Sequence, residues 1–348
     1  MSTPTPAQPT PQRILGMGWG FAPPLVIQAA VENGIFNALD RSPMTAKDLA
    51  KETGASERGV SAIAGALVGF ELLTKDKDGR YQLAPDAAAF LVKGKPGYHG
   101  GLFEHFRSDM IPNWLALPEI ARAGKPKRRV DNPEDGVAFF EGFVDSLFPM
   151  NYPAAKALAS SLESQLAAAG NLSDEVQVLD LAAGSGVWGI AQAQASPRVR
   201  VTAVDFEPVL AVTRRTAERF GLAERFRFQT GDLRTAELGT GYSVALLGHI
   251  LHSEGLAHSR ALLKRVFAAL RPGGTIAIAE FLVNAERTGP PQALIFAVNM
   301  LVHTTDGDTY SFEEIGSWLK SEGFENVRTL EVPAPSPLIL ADKPQKAD

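Results

Sequence analysis

Three of the chain's six histidines, His249, His252 and His258, fall within the eleven residues "HILHSEGLAHS". Imidazole suits two chemistries. With an unperturbed pKa of about 6.5 it is a neutral base near pH 7, and it is a common metal ligand. The flanking residues separate the three. His249 ends an apolar run that reads as a strand, and His252 stands at the junction with the next helix. His258 lies within "LAHSRALLKRVFAAL", whose apolar face is Leu262, Leu263, Val266 and Leu270, so it is expected at the surface. The cluster therefore does not read as a three-histidine metal site, and His249 is expected to be structural or beside a cofactor.

A second chemical feature is "LDLAAGSGVWGIA", in which Gly184, Gly186 and Gly189 match G-x-G-x-x-G, with Asp205 ending the following strand. Alone, that is the dinucleotide fingerprint. Asp180 precedes the glycine turn, where an acid would repel a pyrophosphate but support an ammonium group. S-adenosylmethionine carries an ammonium and no phosphate. Asp205 suits a ribose diol, because a carboxylate only accepts hydrogen bonds and a diol donates two. In "TGDLRT", Asp232 can accept from an adenine amino group while Leu233 packs on the ring. A nicotinamide dehydrogenase is left resting on the glycine fingerprint alone.

These residues need a scaffold. From Val176 onward, "VQVLDLA", "RVRVTAV", "RFRFQT", "YSVALLGH", "TIAIAEFL", "NVRTLEV" and "PLILADK" read as strands with helices between most of them. Such alternation predicts an α/β fold whose parallel sheet is covered by helices on both faces. Ligands belong at the carboxyl ends of its strands. Upstream, "PPLVIQAAVENGIFNAL" reads as one packed helix opened by Pro23 and Pro24, "MTAKDLAKETG" as a short helix ended by Gly54, and "SERGVSAIAGALVGFELL" as a helix started by Ser56. "LLTKDKDGRYQLAP" reads as a hairpin around Lys77-Asp78-Gly79, completing a winged-helix pattern.

Winged helices often bind DNA, but Lys47, Lys51 and Arg58 are outnumbered by Asp48, Glu52, Glu57 and Glu71, leaving no basic face for phosphates. The would-be reading helix carries Val60, Ile63, Leu67, Val68 and Phe70, which suits protein packing. A net charge of −5 over 348 residues gives no electrostatic reason for nucleic acid or an anionic membrane as partner. The absence of cysteine excludes disulfides and thiolate chemistry. No run of about eighteen unbroken apolar residues predicts a membrane span, and "MSTPTPAQPTPQ" lacks signal-peptide character. A cytoplasmic protein with a small-molecule partner is expected. The chain divides into a disordered tail at 1–12, a winged-helix-like domain at 13–100, helices at 101–165 and the α/β domain at 166–348. Phe139, Phe140, Phe143 and Phe148 of the helical segment are expected mostly in the core, with some lining a pocket.

The ordered series "LDLAAGSG", "AVDFEP", "TGDL", "HILH", "LRPGGTIAIAE" and "MLVHTTDGDTYSFEEI" resembles the small-molecule O-methyltransferases of caffeate, acetylserotonin and bacterial polyketide type. The resemblance covers roughly residues 13–342. It implies a class I methyltransferase sheet with a final antiparallel strand, an N-terminal domain that makes a homodimer, and S-adenosylmethionine held by Asp180, Gly184, Gly186, Asp205, Phe206, Asp232 and Leu233. It also implies His252 as the general base that deprotonates a hydroxyl of an aromatic or polyketide-like acceptor, with Glu280 orienting it. Phe143, Met150, Asn151, Phe296, Asn299, Met300 and His303 are the expected acceptor pocket.

Departures from the family pattern are specific. Its second orienting carboxylate falls on Thr309, with Asp308 adjacent as a substitute, and the acid that often follows the base is Ser253. Gly248 stands where plant members carry a polar residue near the adenine. The missing acid keeps C- or N-methylation open as an alternative, and a winged-helix DNA-binding regulator is a more distant one. Some C-methylating relatives hold a metal with two histidines and an aspartate. Here His252 and His303 lack an obvious third ligand, so no metal is expected.

Overall fold

The computed structural model describes residues 9–128, 133–168 and 175–345, with side chains in the long central helix described for Phe143, Val144 and residues 146–165. The expected tail therefore lies outside the described residues up to position 8, as do the side chains of Phe139 and Phe140. The chain forms two compact units, one ending at Met110 and the other beginning at Ile111.

The first unit runs α1 (Gln12–Met17), α2 (Ala22–Glu32), α3 (Ile35–Arg41), β1 (Met44–Thr45), α4 (Ala46–Thr53), α5 (Glu57–Gly69), β2 (Leu73–Lys75), β3 (Arg80–Leu83), α6 (Pro85–Phe90) and α7 (Gly100–His105). The single helix expected from Pro23 is two. Gly34 adopts φ 68°, which ends α2 and lets α3 start in a new direction. The local signals downstream hold. Thr45 and Ser56 accept from Asp48 N and Gly59 N as helix N-caps, and Gly54 is left-handed at the end of α4. The hairpin β2–β3 pairs Leu73 with Leu83 and is extended by β1. Ile35, Phe36, Leu49, Leu67 and Leu73 fill the core of this unit.

Gln12–Glu32 is 21 residues long with a mean hydropathy of 1.5, which by length and composition could cross a membrane. It folds as two helices, α1 and α2. Ile14, Leu15, Met17, Trp19 and Phe21 are all exposed, Trp19 by 72%.

The second unit runs α8 (Ile111–Trp114), α9 (Leu117–Ala123), α10 (Pro133–Ala168), β4 (Val176–Leu181), α11 (Val187–Ala195), β5 (Val199–Asp205), α12 (Glu207–Arg219), β6 (Phe226–Thr230), β7 (Tyr242–Gly248), α13 (Leu251–Ala269), β8 (Leu270–Ala279), α14 (Pro291–His303), α15 (Phe312–Ser321), β9 (Glu325–Leu330) and β10 (Leu338–Asp342). All seven expected strands form one sheet of order β6-β5-β4-β7-β8-β10-β9. The first five are parallel, and β10 inserts antiparallel between β8 and β9.

Period-two alternation assigns each strand's side chains to two cores. Leu179, Leu181, Ala245, Leu247, Ile276 and Ile278 face one core with α13 and α15. Val176, Val178, Val244, Leu246 and Ala277 face the other, with α10 and α11. Burial on both faces is why these strands read as near-continuous apolar runs. The carboxyl ends of β4, β5, β6, β7 and β8 therefore lie along one edge of the sheet, and every candidate catalytic or cofactor residue sits at or just after one of them.

Candidate active site

The glycine turn after β4 is shaped for close approach. Gly186 has φ 75°, and a Cβ there would lie 2.7 Å from Thr213 Cγ2, so both conformation and space require glycine. Gly184 is also left-handed, its N–H donates to Asp205 Oδ2 at 2.9 Å, and its carbonyl accepts from Thr213. Asp205 Oδ1 accepts from Phe206 N at 2.8 Å. Burial pushes the Asp205 carboxyl up to about 6, against the opposing pull of those two backbone donors. Phe206 packs with Val144 of α10, Val209 and Val212. Asp232 Oδ1 accepts from Arg234 N, and Leu233 packs on the sheet core. The Arg265 guanidinium of α13 donates to the carbonyls of Leu233 and Ala236, tying this loop to the helix that carries His252.

Asp180 is 0% exposed. Its Oδ2 accepts from Gly189 N at 2.9 Å, and its Oδ1 is buried with no hydrogen-bond partner. Burial pushes its pKa up to about 8; the Gly189 bond opposes this and nearby Asp205 adds to it. Asp180 thus braces the start of α11 and retains an unfilled acceptor.

The base candidate is built at the ends of two neighbouring strands. His252 opens α13 just after β7, and Glu280 immediately follows β8. Glu280 is 6% exposed. Its Oε1 accepts from Leu251 N at 2.7 Å and from His252 N at 3.3 Å, and its Oε2 meets His252 Nδ1 at 2.7 Å. Burial pushes the Glu280 pKa up, but the His252 charge, the His252 side-chain hydrogen bond, His249 and the His252 backbone N–H together carry it below the ordinary value. The group is an ionised carboxylate that can only accept, so Nδ1 of neutral His252 carries the proton and Nε2 keeps its lone pair. Among the described residues Nε2 has no hydrogen-bond partner, the condition required of a base awaiting a hydroxyl.

Neither Asp308, the expected substitute for the missing acid, nor Thr309 or Ser253, which occupy the positions of family acids, has a side chain hydrogen-bonded to His252. Asp308 Oδ2 pairs with Arg287 at 3.0 Å and its Oδ1 accepts from Thr309 N; only its backbone N–H touches His252, at the carbonyl. Thr309 is buried with an unpartnered hydroxyl. Ser253 donates to Ile250 O as part of the helix start. Among the described residues, Glu280 is the one carboxylate hydrogen-bonded to the His252 ring.

An aromatic shell surrounds His252. Phe296 of α14 meets it edge-on at 4.9 Å between centroids, Phe281 lies 6.2 Å away, and Phe281 and Phe296 contact each other at 4.1 Å. His249 sits 5.0 Å from Phe281 and 6.4 Å from Trp188. Burial lowers its pKa to about 4; Glu280 raises it, and His252 lowers it further. Farther along α14, His303 Nδ1 donates to Asn299 O, which leaves Nε2 as the acceptor facing Asn113 Nδ2 at 3.4 Å. Trp114 Nε1 donates to Asn299 Oδ1 at 3.0 Å. Met300 is buried, Phe143 is half-buried, Asn151 is half-buried and Met150 is exposed. His258 is exposed. Sequence patterns alone do not point to Phe281, Trp188, Asn113 and Trp114 as site residues. The one available signal was that Phe281 directly follows Glu280.

Comparison with known proteins bears on the family of the chain. A family model for an O-methyltransferase domain matches residues 123–325, and one for an O-methyltransferase dimerisation domain matches residues 18–93. The chain is 30% identical to the 3-hydroxy-5-methyl-1-naphthoate 3-O-methyltransferase of Streptomyces sahachiroi, over 95% of this chain and 94% of that protein. It is 29% identical to the tetracenomycin polyketide synthesis 8-O-methyl transferase TcmO of Streptomyces glaucescens, over 96% and 97%. The solved structure of human N-acetylserotonin methyltransferase in complex with S-adenosylmethionine superposes with a TM-score of 0.82 at 22% identity, covering 98% of this chain and all of that one. The chain belongs to the S-adenosylmethionine-dependent O-methyltransferase family, with that family's catalytic and dimerisation domains joined in one polypeptide.

Proposed function

We propose that this enzyme methylates a hydroxyl of an aromatic or polyketide-like small molecule, with His252 as general base and Glu280 as its orienter. The observation that carries the reading is the fully accepting Glu280 carboxylate on Nδ1, which leaves Nε2 free to take the acceptor's proton. S-adenosylmethionine, when bound, supplies a methyl group already activated for displacement. The residues that would hold it fit its chemistry. Asp180 offers a buried unfilled acceptor, Asp205 has lone pairs for a diol beside its two backbone donors, and Asp232 with Leu233 presents an acid beside an apolar surface. Gly184, Gly186 and Phe206 let the ligand approach the turn.

The protein's own work is alignment and proton removal. Phe281 and Phe296 present ring faces and edges on which a planar acceptor can lie against His252. Asn299, His303, Met300, Asn113 and Trp114 set polar and apolar contacts along α14, and Phe143, Met150 and Asn151 of α10 complete the proposed acceptor segment. The working unit is a homodimer, supported by the dimerisation-domain match and the exposed apolar face of α1 and the turn after it. Trp19→Asp is expected to shift sedimentation toward monomer.

The test is incubation with methyl-labelled cofactor and a panel of hydroxynaphthoates and phenols, read by mass spectrometry. His252→Ala is expected to retain S-adenosylhomocysteine binding by calorimetry and lose most O-methylation of weakly acidic hydroxyls. Unchanged turnover would remove His252 from the mechanism.

A further inference from the structure

His249 carries two features that base catalysis by His252 does not use. It is a non-glycine residue held at φ 61°, a left-handed conformation that is uncommon outside glycine and persists where the surroundings impose it. Its backbone N–H is anchored to Ala279 O at 2.8 Å, which fixes that conformation against the end of β8. Its Nδ1 is buried and has no hydrogen-bond partner, a costly arrangement for a polar atom. The ring centroids of His249 and His252 lie 6.4 Å apart. One ligand atom from each of His249, His252 and Glu280 lies within 4.8 Å of the other two, and among the described residues this is the one set of three metal-ligating side chains so arranged.

We propose that His249, His252 and Glu280 form a binding site for a borderline first-row divalent cation such as zinc or cobalt, and that its occupancy switches the base off. Two imidazoles and one carboxylate match these ions, whereas magnesium and calcium want oxygen ligands. A tetrahedral site with bonds of about 2.1 Å spaces its ligand atoms about 3.4 Å apart. The His252–Glu280 contact must therefore open from 2.7 Å, and any spacing wider than that must close toward the same value.

The consequence for His252 follows from its tautomer, and this step rests on the reading of His252 as base. Without the ion, Nδ1 carries the proton and donates it to Glu280. For Nδ1 to coordinate, its proton must move to Nε2. The N–H···O bond to Glu280 is replaced by metal–nitrogen and metal–oxygen bonds, and no proton is released overall. Nε2 then carries hydrogen and cannot accept one from a hydroxyl. The same three side chains thus have two exclusive states, a base and a cation site.

The intact enzyme, stripped with chelator, is titrated with cobalt(II) and followed by visible absorption and equilibrium dialysis. Wild type is expected to bind one ion per chain with the intense bands of a low-coordinate nitrogen/oxygen site. His249→Asn, whose side chain tolerates left-handed backbone, is expected to weaken binding at least tenfold. His258→Ala, on the exposed face of α13, is expected to bind as wild type does. Absence of the bands in wild type, or equal binding by His249→Asn, would overturn the site. Methyl transfer by the cobalt-loaded enzyme is expected to fall and to recover on chelation. Binding with undiminished transfer would overturn the switch while leaving the cation site, and the His252→Ala assay above tests His252 as base independently.

Discussion

Replacing Glu280 by glutamine probes the base most sharply, because it keeps the shape while removing the charge and exchanging one accepting oxygen for an NH2 donor. The native carboxylate accepts at both oxygens, from two backbone N–H groups on one side and the imidazole on the other. An amide has one oxygen. If the oxygen stays on Leu251 N, the NH2 faces Nδ1–H, and the ring must move its proton to Nε2, where the base is lost. If the oxygen turns to Nδ1, the NH2 meets the Leu251 N–H in a buried site. Either arrangement forfeits a charged buried hydrogen bond of about 1.5–3 kcal/mol. At 1.36 kcal/mol per decade that is roughly 10–150-fold in rate, and loss of the correct tautomer adds part of the roughly 100–10,000-fold that a general base contributes. We expect kcat/KM on an ordinary phenol to fall about 100–1000-fold, with S-adenosylhomocysteine affinity within about twofold by calorimetry. The defect should shrink across a series of increasingly acidic phenols, since an acceptor already ionised needs no base. A variant retaining a third of wild-type turnover on a weakly acidic phenol, or a defect equal for ionised and neutral acceptors, would refute the reasoning.

Two other perturbations read the scaffold. Asp180, with a folded pKa of about 8 against the ordinary 3.8, keeps a proton that the unfolded chain loses, so its contribution to stability falls as pH rises through that window. Asp180→Asn imitates the protonated acid, and scanning fluorimetry of ligand-free protein should show the variant gaining on wild type from pH 5 to pH 8; parallel profiles would contradict the raised pKa. Gly255 breaks α13 at φ 71° and ψ 169°, in a region essentially closed to other residues, and a Cβ there would lie 2.7 Å from Asp306 O. Gly255→Ala should lower the apparent Tm by roughly 5 °C, from a strain of about 1–3 kcal/mol; an unchanged Tm would mean the kink is not required.

Much of the scaffold could be read directly from the chain. Buried parallel strands such as Val176–Leu181 and Tyr242–Gly248 must be apolar on both faces, and the glycine turn must use residues free to adopt positive φ, so both leave strong local marks. Glu280, immediately after β8, and His252, four residues past β7, were legible because the family motifs "IAIAE" and "HILH" fall at those strand ends. Directions were harder. Asp308 is one residue from the expected acid, yet Arg287, twenty-one positions upstream, draws it away from the base. Gly34 hides a helix break inside an unbroken apolar pattern. The shell of Trp188, Phe281 and Phe296 comes from three separate segments whose local patterns say only that they are buried, and their convergence on the neighbouring imidazoles of His249 and His252 is a tertiary fact.

The Glu280 carboxylate has a consequence for how such an enzyme can change. One oxygen grips the backbone that starts α13 and the other grips the ring of the base, so the aim of His252 is referenced to the central sheet. The side chains proposed to face the acceptor belong instead to helices α8, α10 and α14. Lineages can therefore exchange residues at Asn113, Trp114, Phe296, Asn299 or His303 and try new acceptors while the proton-removing apparatus keeps its alignment. Inheritance of the reaction is separated from inheritance of its target.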